Sequence, residues 1–235
     1  MHYLISYVII LPEGFDIIML KAVLFDMDGL MIDTEKLLSR FWCESANSFG
    51  YPMTHEHVLG IRSLASKYAV PHLKKIFGDD FDYWAVRAKR IELMNSYIES
   101  NGIEVKKGLI ELLDYIKDSG LRCAVCTATD SQRTEMYLRK IGVYDYFDDF
   151  ICGNMIKNGK PKPDIYLLGA EKLGLQPHEC MALEDSPNGI SSAYSAGCIP
   201  VMVPDLSQPD ADTLAKVYAV CDDLSQVIDL IKNCN

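Results

Sequence analysis

The chain has 235 residues, 49% hydrophobic and 24% charged. These ordinary values exclude a disordered or collagen-like polymer and predict one domain with an insertion, or two small domains. Acidic residues number 33 against 23 lysines and arginines, for a formal charge of −10. An acidic chain with no basic stripe predicts neither nucleic-acid nor anionic-membrane binding.

In chain order, residues 2–11 are apolar until Pro12, Glu13 and Gly14 interrupt them. That run is too short to span a bilayer, and it has neither a basic leader nor a small-residue cleavage site. Residues 1–18 are read as an upstream extension before a start at Met19, with a weak hydrophobic arm as the alternative. The expected location is cytoplasmic. Lys21–Phe25 predicts a buried strand ending at Asp26, and a polar turn with Gly29 follows. Between Glu35 and Asn101 strand signals vanish. Leu37, Leu38, Phe41, Trp42 and Phe49 predict a helix over 35–49. Tyr83, Val86, Met94 and Ile98 predict another over 82–98, with shorter helices over 54–59 and 62–76. Trp42 and Trp84 are expected in the core of this helical module. After Gly108 the period changes. Helices over 109–117, 130–140, 163–173, 187–196 and 222–231 alternate with strands over 121–126, 149–152, 180–183, 199–203 and 218–220.

Such alternation implies βαβ units, a parallel sheet, and ligands at the carboxyl ends of the strands. The expected architecture is a doubly wound, Rossmann-like α/β core over 19–34 and 104–235. An all-helical module over 35–103 is inserted after the first strand. Eight cysteines in a chain of this size read as free thiols in a reducing compartment. Cys123 and Cys126 fall on opposite faces of one strand, which argues against a shared metal or disulfide.

Four constellations lie just beyond strand ends. In Asp26-Met-Asp28-Gly29, alternation puts both carboxylates on one side, where they repel unless a cation or shared proton offsets them. Oxygen ligands of this kind suit a hard ion such as Mg²⁺. A solvated turn is the alternative; an EF-hand loop fails because Met31 and Leu37 occupy its glycine and glutamate positions. Thr127-Ala128-Thr129-Asp130 offers a hydroxyl and free N–H groups to a phosphate, or an ordinary helix cap by Thr129 or Asp130. Lys160, between Gly159 and two prolines, is either a fixed cation or a solvated lysine. Glu184-Asp185 follows an apolar strand, and Ser186 is the expected cap of the next helix with Pro187 in its first turn. These acids either favour the dipole of the next helix or are paired or metal-bound, completing a Mg²⁺ site with Asp26 and Asp28.

In this order the motifs resemble the haloacid dehalogenase superfamily of phosphotransferases over about residues 20–231. Phe25–Leu30 followed by Asp33-Thr34-Glu35 is similar to the branch of β-phosphoglucomutases and small sugar-phosphate or pseudouridine-phosphate phosphatases. The resemblance implies that 35–103 is a cap domain and that Asp26 is the nucleophile, forming an aspartyl-phosphate. It implies that Asp28 is the general acid and base, with its backbone carbonyl on Mg²⁺. Asp185 would bind Mg²⁺, assisted by Glu184. Thr127 and the Ala128 N–H would hold the phosphoryl group, with Lys160 neutralising charge. The family's mutases carry a histidine four residues after the threonine of the Asp-Thr pair; here that position is Leu38. Their cap arginine lies one place later than Arg62, which is the expected cap contact to substrate.

The expected function is a Mg²⁺-dependent phosphatase acting on a small phosphorylated metabolite, a sugar phosphate or nucleoside monophosphate. A β-phosphoglucomutase-type mutase is the alternative, and a non-catalytic binding protein on the same fold the third reading. A monomer is expected.

Overall fold

The computed structural model describes residues 7–9, 18–62 and 64–232. Strands β1 (Tyr7–Ile9) and β2 (Ile18–Leu20) pair antiparallel. The rest of the expected extension over 1–18 lies outside the described residues. Next come β3 (Ala22–Phe25) and four helices: α1 (Glu35–Ser48), α2 (His55–Leu59), α3 (Ser66–Phe77) and α4 (Tyr83–Asn101). Helix α5 (Leu109–Ser119) leads to β4 (Arg122–Thr127), α6 (Ser131–Lys140), β5 (Asp149–Cys152) and α7 (Asp164–Lys172). The chain ends through β6 (Cys180–Glu184), α8 (Pro187–Ala196), β7 (Ile199–Met202), α9 (Ala211–Leu214), β8 (Ala219–Val220) and α10 (Leu224–Lys232).

The main sheet has six parallel strands in the order β5-β4-β3-β6-β7-β8. The chain winds outward from β3 through β4 and β5, then crosses to β6 and winds the other way. The carboxyl ends of β3, β4 and β6 therefore meet at the switch point where such sheets bind ligands. Strand alternation assigns the two faces. Val23, Phe25, Cys123, Val125, Met181 and Leu183 enter one core cluster, shared with residues of α5, α6 and α10. Ala22, Leu24, Ala124, Cys126, Cys180 and Ala182 enter a second, shared with α7 and α8. The second face is lined by small residues, so helix α7 approaches closely; a methyl group at Gly169 would meet Cys126 Sγ at 2.7 Å. Cys123 and Cys126 thus face opposite sides, and every described cysteine is free.

Helices α1–α4 carry a third core of Trp42, Ala46, Val58, Ile61, Leu73, Phe81 and Val86. Two expectations are corrected. Trp84 is 59% exposed, because Tyr83 and Val86 take the inward side of α4. Arg62 precedes α3 instead of starting it, since its carbonyl accepts from Asn188 Nδ2 at 3.1 Å and its guanidinium is drawn onto core carboxylates. Sequence reading also missed α9, a four-residue turn capped by Asp210. Among the described residues no helix is long and apolar enough to cross a membrane.

Candidate active site

The strand tips gather the acids. Asp26 follows β3, Thr127 ends β4, and Glu184 ends β6 with Asp185 beyond it. The Asp26 N–H donates to the Leu183 carbonyl at 3.0 Å, extending the ladder to the first acid. Gly29 turns the chain away at φ +89°, a conformation that glycine adopts without strain. A side chain there would also collide with the Asp185 carboxylate. Beyond β6, Ser186 accepts from the Gly189 N–H at 3.2 Å and Pro187 opens α8, as the sequence predicts. Gly189 is equally constrained, because a methyl group would overlap the Glu184 carboxylate.

Lys160 is 1% exposed. Its ammonium donates to Asp26 Oδ1 and lies 2.6 Å from Glu184 Oε1. Tyr166 completes this buried group, its hydroxyl donating to Glu184 Oε1 at 2.5 Å. Burial disfavours the charged lysine, but Asp26 and Glu184 outweigh it and hold Lys160 above the ordinary lysine range. Burial pushes the Asp26 carboxyl up, Lys160 opposes this, and Glu184 and Asp185 add to the rise. The reading of Lys160 as a fixed cation therefore describes its position, and the solvated alternative is excluded. The peptide bond from Lys160 to Pro161 is cis.

Asp28 has a different environment. Its two oxygens accept from Thr34 Oγ1 at 2.6 Å and Thr129 Oγ1 at 2.7 Å. Asp130, whose side chain accepts from the Arg133 N–H at 3.1 Å, is the cap of α6, and Thr129 is left to hold Asp28. Thr127 is buried, and its hydroxyl accepts from the Thr129 N–H at 3.1 Å.

Arg62 reaches over from the helical module. It ion-pairs with Asp185, lies 3.3 Å from Glu35 and 3.7 Å from Asp205, and donates to Ser207 Oγ at 3.0 Å. Burial raises the Asp185 carboxyl, with Arg62 opposing. Burial likewise raises Glu35 to about 8, opposed by Arg62 and reinforced by Asp28 and Asp26. The expected substrate contact is thus engaged with carboxylates in this conformation.

Asp26, Glu184 and Asp185 each present an oxygen within 4.8 Å of the others, a group that suits a hard cation. Asp185 Oδ1 is buried with no hydrogen-bond partner, which marks it as an open ligand atom. The expected Asp28 side chain is not in this group; its oxygens accept from the two threonine hydroxyls. Asp26, Asp28, Thr127, Ala128, Lys160 and Arg62 all line one cavity of about 470 Å³ between strand tips and helices. Thr34, Thr129, Tyr166 and Glu35 were missed as site residues. Thr34 and Glu35 had a signal in their adjacency to the first acidic motif and Thr129 in its place within the second constellation; Tyr166 had none.

The model of the haloacid dehalogenase-like hydrolases matches residues 20–197. The phosphorylated carbohydrates phosphatase of Thermotoga maritima is 32% identical over 178 residues, 76% of this chain and 82% of that protein. Hexitol phosphatase A of Escherichia coli is 32% identical over 208 residues, covering 88% and 93%. The crystal structure of β-phosphoglucomutase from Clostridium difficile superposes with a TM-score of 0.76 at 24% identity, over 92% of this chain and 97% of that one, and shares the fold. Matching along three quarters of its length, with the acidic motifs at its strand tips, the chain belongs to the haloacid dehalogenase-like hydrolases.

Proposed function

We propose that the protein is a Mg²⁺-dependent phosphatase that hydrolyses a small phosphomonoester through an aspartyl-phosphate on Asp26. The observation that carries this reading is the division of labour between two aspartates on one strand tip. Asp26 is held by the Lys160 ammonium, and Asp28 only by two hydroxyls.

Asp26 attacks phosphorus and the ester oxygen leaves, taking a proton from Asp28. Water then attacks the phosphoryl group, returns a proton to Asp28, and frees Asp26. Lys160 opposes the protonation of Asp26 that burial favours and neutralises charge on the phosphoryl oxygens. Thr127 and the Ala128 N–H hold those oxygens. Asp26, Asp185 and the Asp28 carbonyl would hold the ion, with Glu184 assisting. When bound, Mg²⁺ offsets phosphate charge as a Lewis acid. The helical module over 35–103 acts as a cap that limits water. Phosphatase names among the relatives support this reading. So does Leu38, an apolar cavity residue where the resembling mutases carry histidine.

The test is phosphate release from a panel of sugar phosphates and nucleoside monophosphates, with Mg²⁺ and with EDTA. Release in Mg²⁺ that EDTA abolishes is expected. Release insensitive to EDTA, or equal release by Asp26→Asn, would overturn the reading.

A further inference from the structure

Helices α4 and α6 bring three guanidinium groups, Arg87, Arg90 and Arg133, to the wall of the same cavity. Arg90 is 5% exposed, and its Nε has no hydrogen-bond partner. Among the described residues it forms no ion pair. Its neighbours are the Trp42 ring, 5.3 Å away, and Met94 Sδ at 3.9 Å. Arg87 also lacks an ion pair among the described residues and lies 6.0 Å from the Trp84 ring. Only Arg133 has a carboxylate, Asp130, at 2.8 Å. Asp28, another acid lining this cavity, is already held by Thr34 and Thr129. Burial, then the charges of Arg133 and Arg87, lowers Arg90 to about 10, so it stays charged at neutral pH.

A buried cation without a counter-charge is unfavourable by several kcal/mol, and elsewhere in this cavity the chain supplies partners. An arginine serving only to pack against Trp42 gains nothing from an unpartnered Nε. The planar fork of guanidinium matches the paired oxygens of a carboxylate or phosphoryl group. A neutral polyol would leave the charge uncompensated.

We propose that Arg90, with Arg87 and Arg133, is an anion subsite that receives a second negative group at the far end of the substrate. The substrate class is a phosphomonoester bearing a carboxylate or a second phosphoryl group. The phosphomonoester half of this statement rests on the phosphatase reading; the subsite itself does not.

The test is calorimetric titration of the full chain, in Mg²⁺, with alkylphosphonates of graded length and with ω-carboxyalkylphosphonates and α,ω-bisphosphonates of the same lengths. None of these is hydrolysed, so the result does not depend on turnover. At the best length the doubly anionic ligand is expected to bind at least about tenfold tighter than its neutral-ended counterpart. Comparing the two anionic series tells carboxylate from phosphoryl. Arg90→Gln should bring that preference close to one. Arg87→Gln, at a half-exposed position that is safe for folding, should lower it by about threefold. A preference near one at every length, a preference undiminished in both variants, or no binding by any series would overturn the proposal. Failure of Mg²⁺-dependent release from p-nitrophenyl phosphate would sink the phosphatase reading alone.

Discussion

The strand-tip wall of the cavity and its helical wall treat charge in opposite ways. At the strand tips each buried ion meets a partner: Lys160 lies between Asp26 and Glu184, and Arg62 joins Asp185 to Glu35. On the helical wall Arg90 rests on an aromatic ring with no carboxylate beside it. Parallel register fixes the spacing of β3, β4 and β6, so groups at their ends hold position to within the tolerance that chemistry needs. Helices α1–α4 have their own core and contribute side chains to the cavity without that register. The paired wall is suited to reaction, and the unpaired wall to choosing what reacts.

Removing the proposed nucleophile breaks the comparison most sharply. Asp26→Asn preserves volume and leaves Lys160 paired with Glu184. We expect kcat to fall at least about 10⁴-fold with the circular dichroism spectrum retained. A loss under tenfold would mean that another group reacts. Lys160→Gln should cost the strand-tip wall both chemistry and stability. It leaves two buried acids without their cation, a destabilisation of about 3–5 kcal/mol by denaturant melting, and a rate loss of about 10²–10³. A variant as stable as the parent would show that Asp26 and Glu184 share a proton instead of relying on the lysine.

Arg62 is the one cap residue that behaves like the strand-tip wall. Arg62→Met leaves Asp185, which is fully buried, without a counter-charge. In EDTA the variant should lose roughly 3 kcal/mol. In the proposed site Mg²⁺ and the guanidinium would compete for one carboxylate, so Mg²⁺ should raise Tm more in the variant than in the parent. Equal shifts would show that the ion does not use Asp185.

Most of the core was legible in the sequence because local rules and tertiary structure agree there. Short apolar runs bounded by glycines became strands, and consecutive acids at their tips had to be paired. The sequence also carried Ser186 with Pro187 and the opposed faces of Cys123 and Cys126, since both depend on spacing alone. What spacing does not carry is a partner distant in the chain. Thr129 has a hydroxyl available to cap α6, yet it donates to Asp28, 101 positions away. Periodicity places Arg62 in a helix, but core carboxylates extract it. Apolar periodicity predicts the helix that holds Arg90 but not that this arginine is buried, against a tryptophan from α1. Each failure is a side chain whose environment is set by packing between elements distant in the chain.

The smallest expected effect tests whether burial or charge alone separates the paired wall from the surface. Lys107 and Asp223 form an ion pair at 2.5 Å, comparable in length to the Lys160–Glu184 contact, but the Lys107 side chain is 81% exposed. Asp223 also accepts from the Ser225 N–H at 2.9 Å near the start of α10. Hydrogen bonds from Lys107 and then Ser225 lower its carboxyl to about 2. Between that value and an unfolded value of about 3.9, the unfolded chain binds more protons, so stability rises with pH through this window. The contribution is complete above the unfolded value and is lost as pH falls through about 2. Asp223→Ala should cost about 1 kcal/mol at neutral pH, the usual worth of a helix cap. The two proteins should converge in stability toward pH 2. Added salt should narrow the difference, since salt screens an exposed ion pair, and leave the part due to the Ser225 N–H. A loss approaching that of Lys160→Gln would show that ion pairing, independent of burial, stabilises this fold.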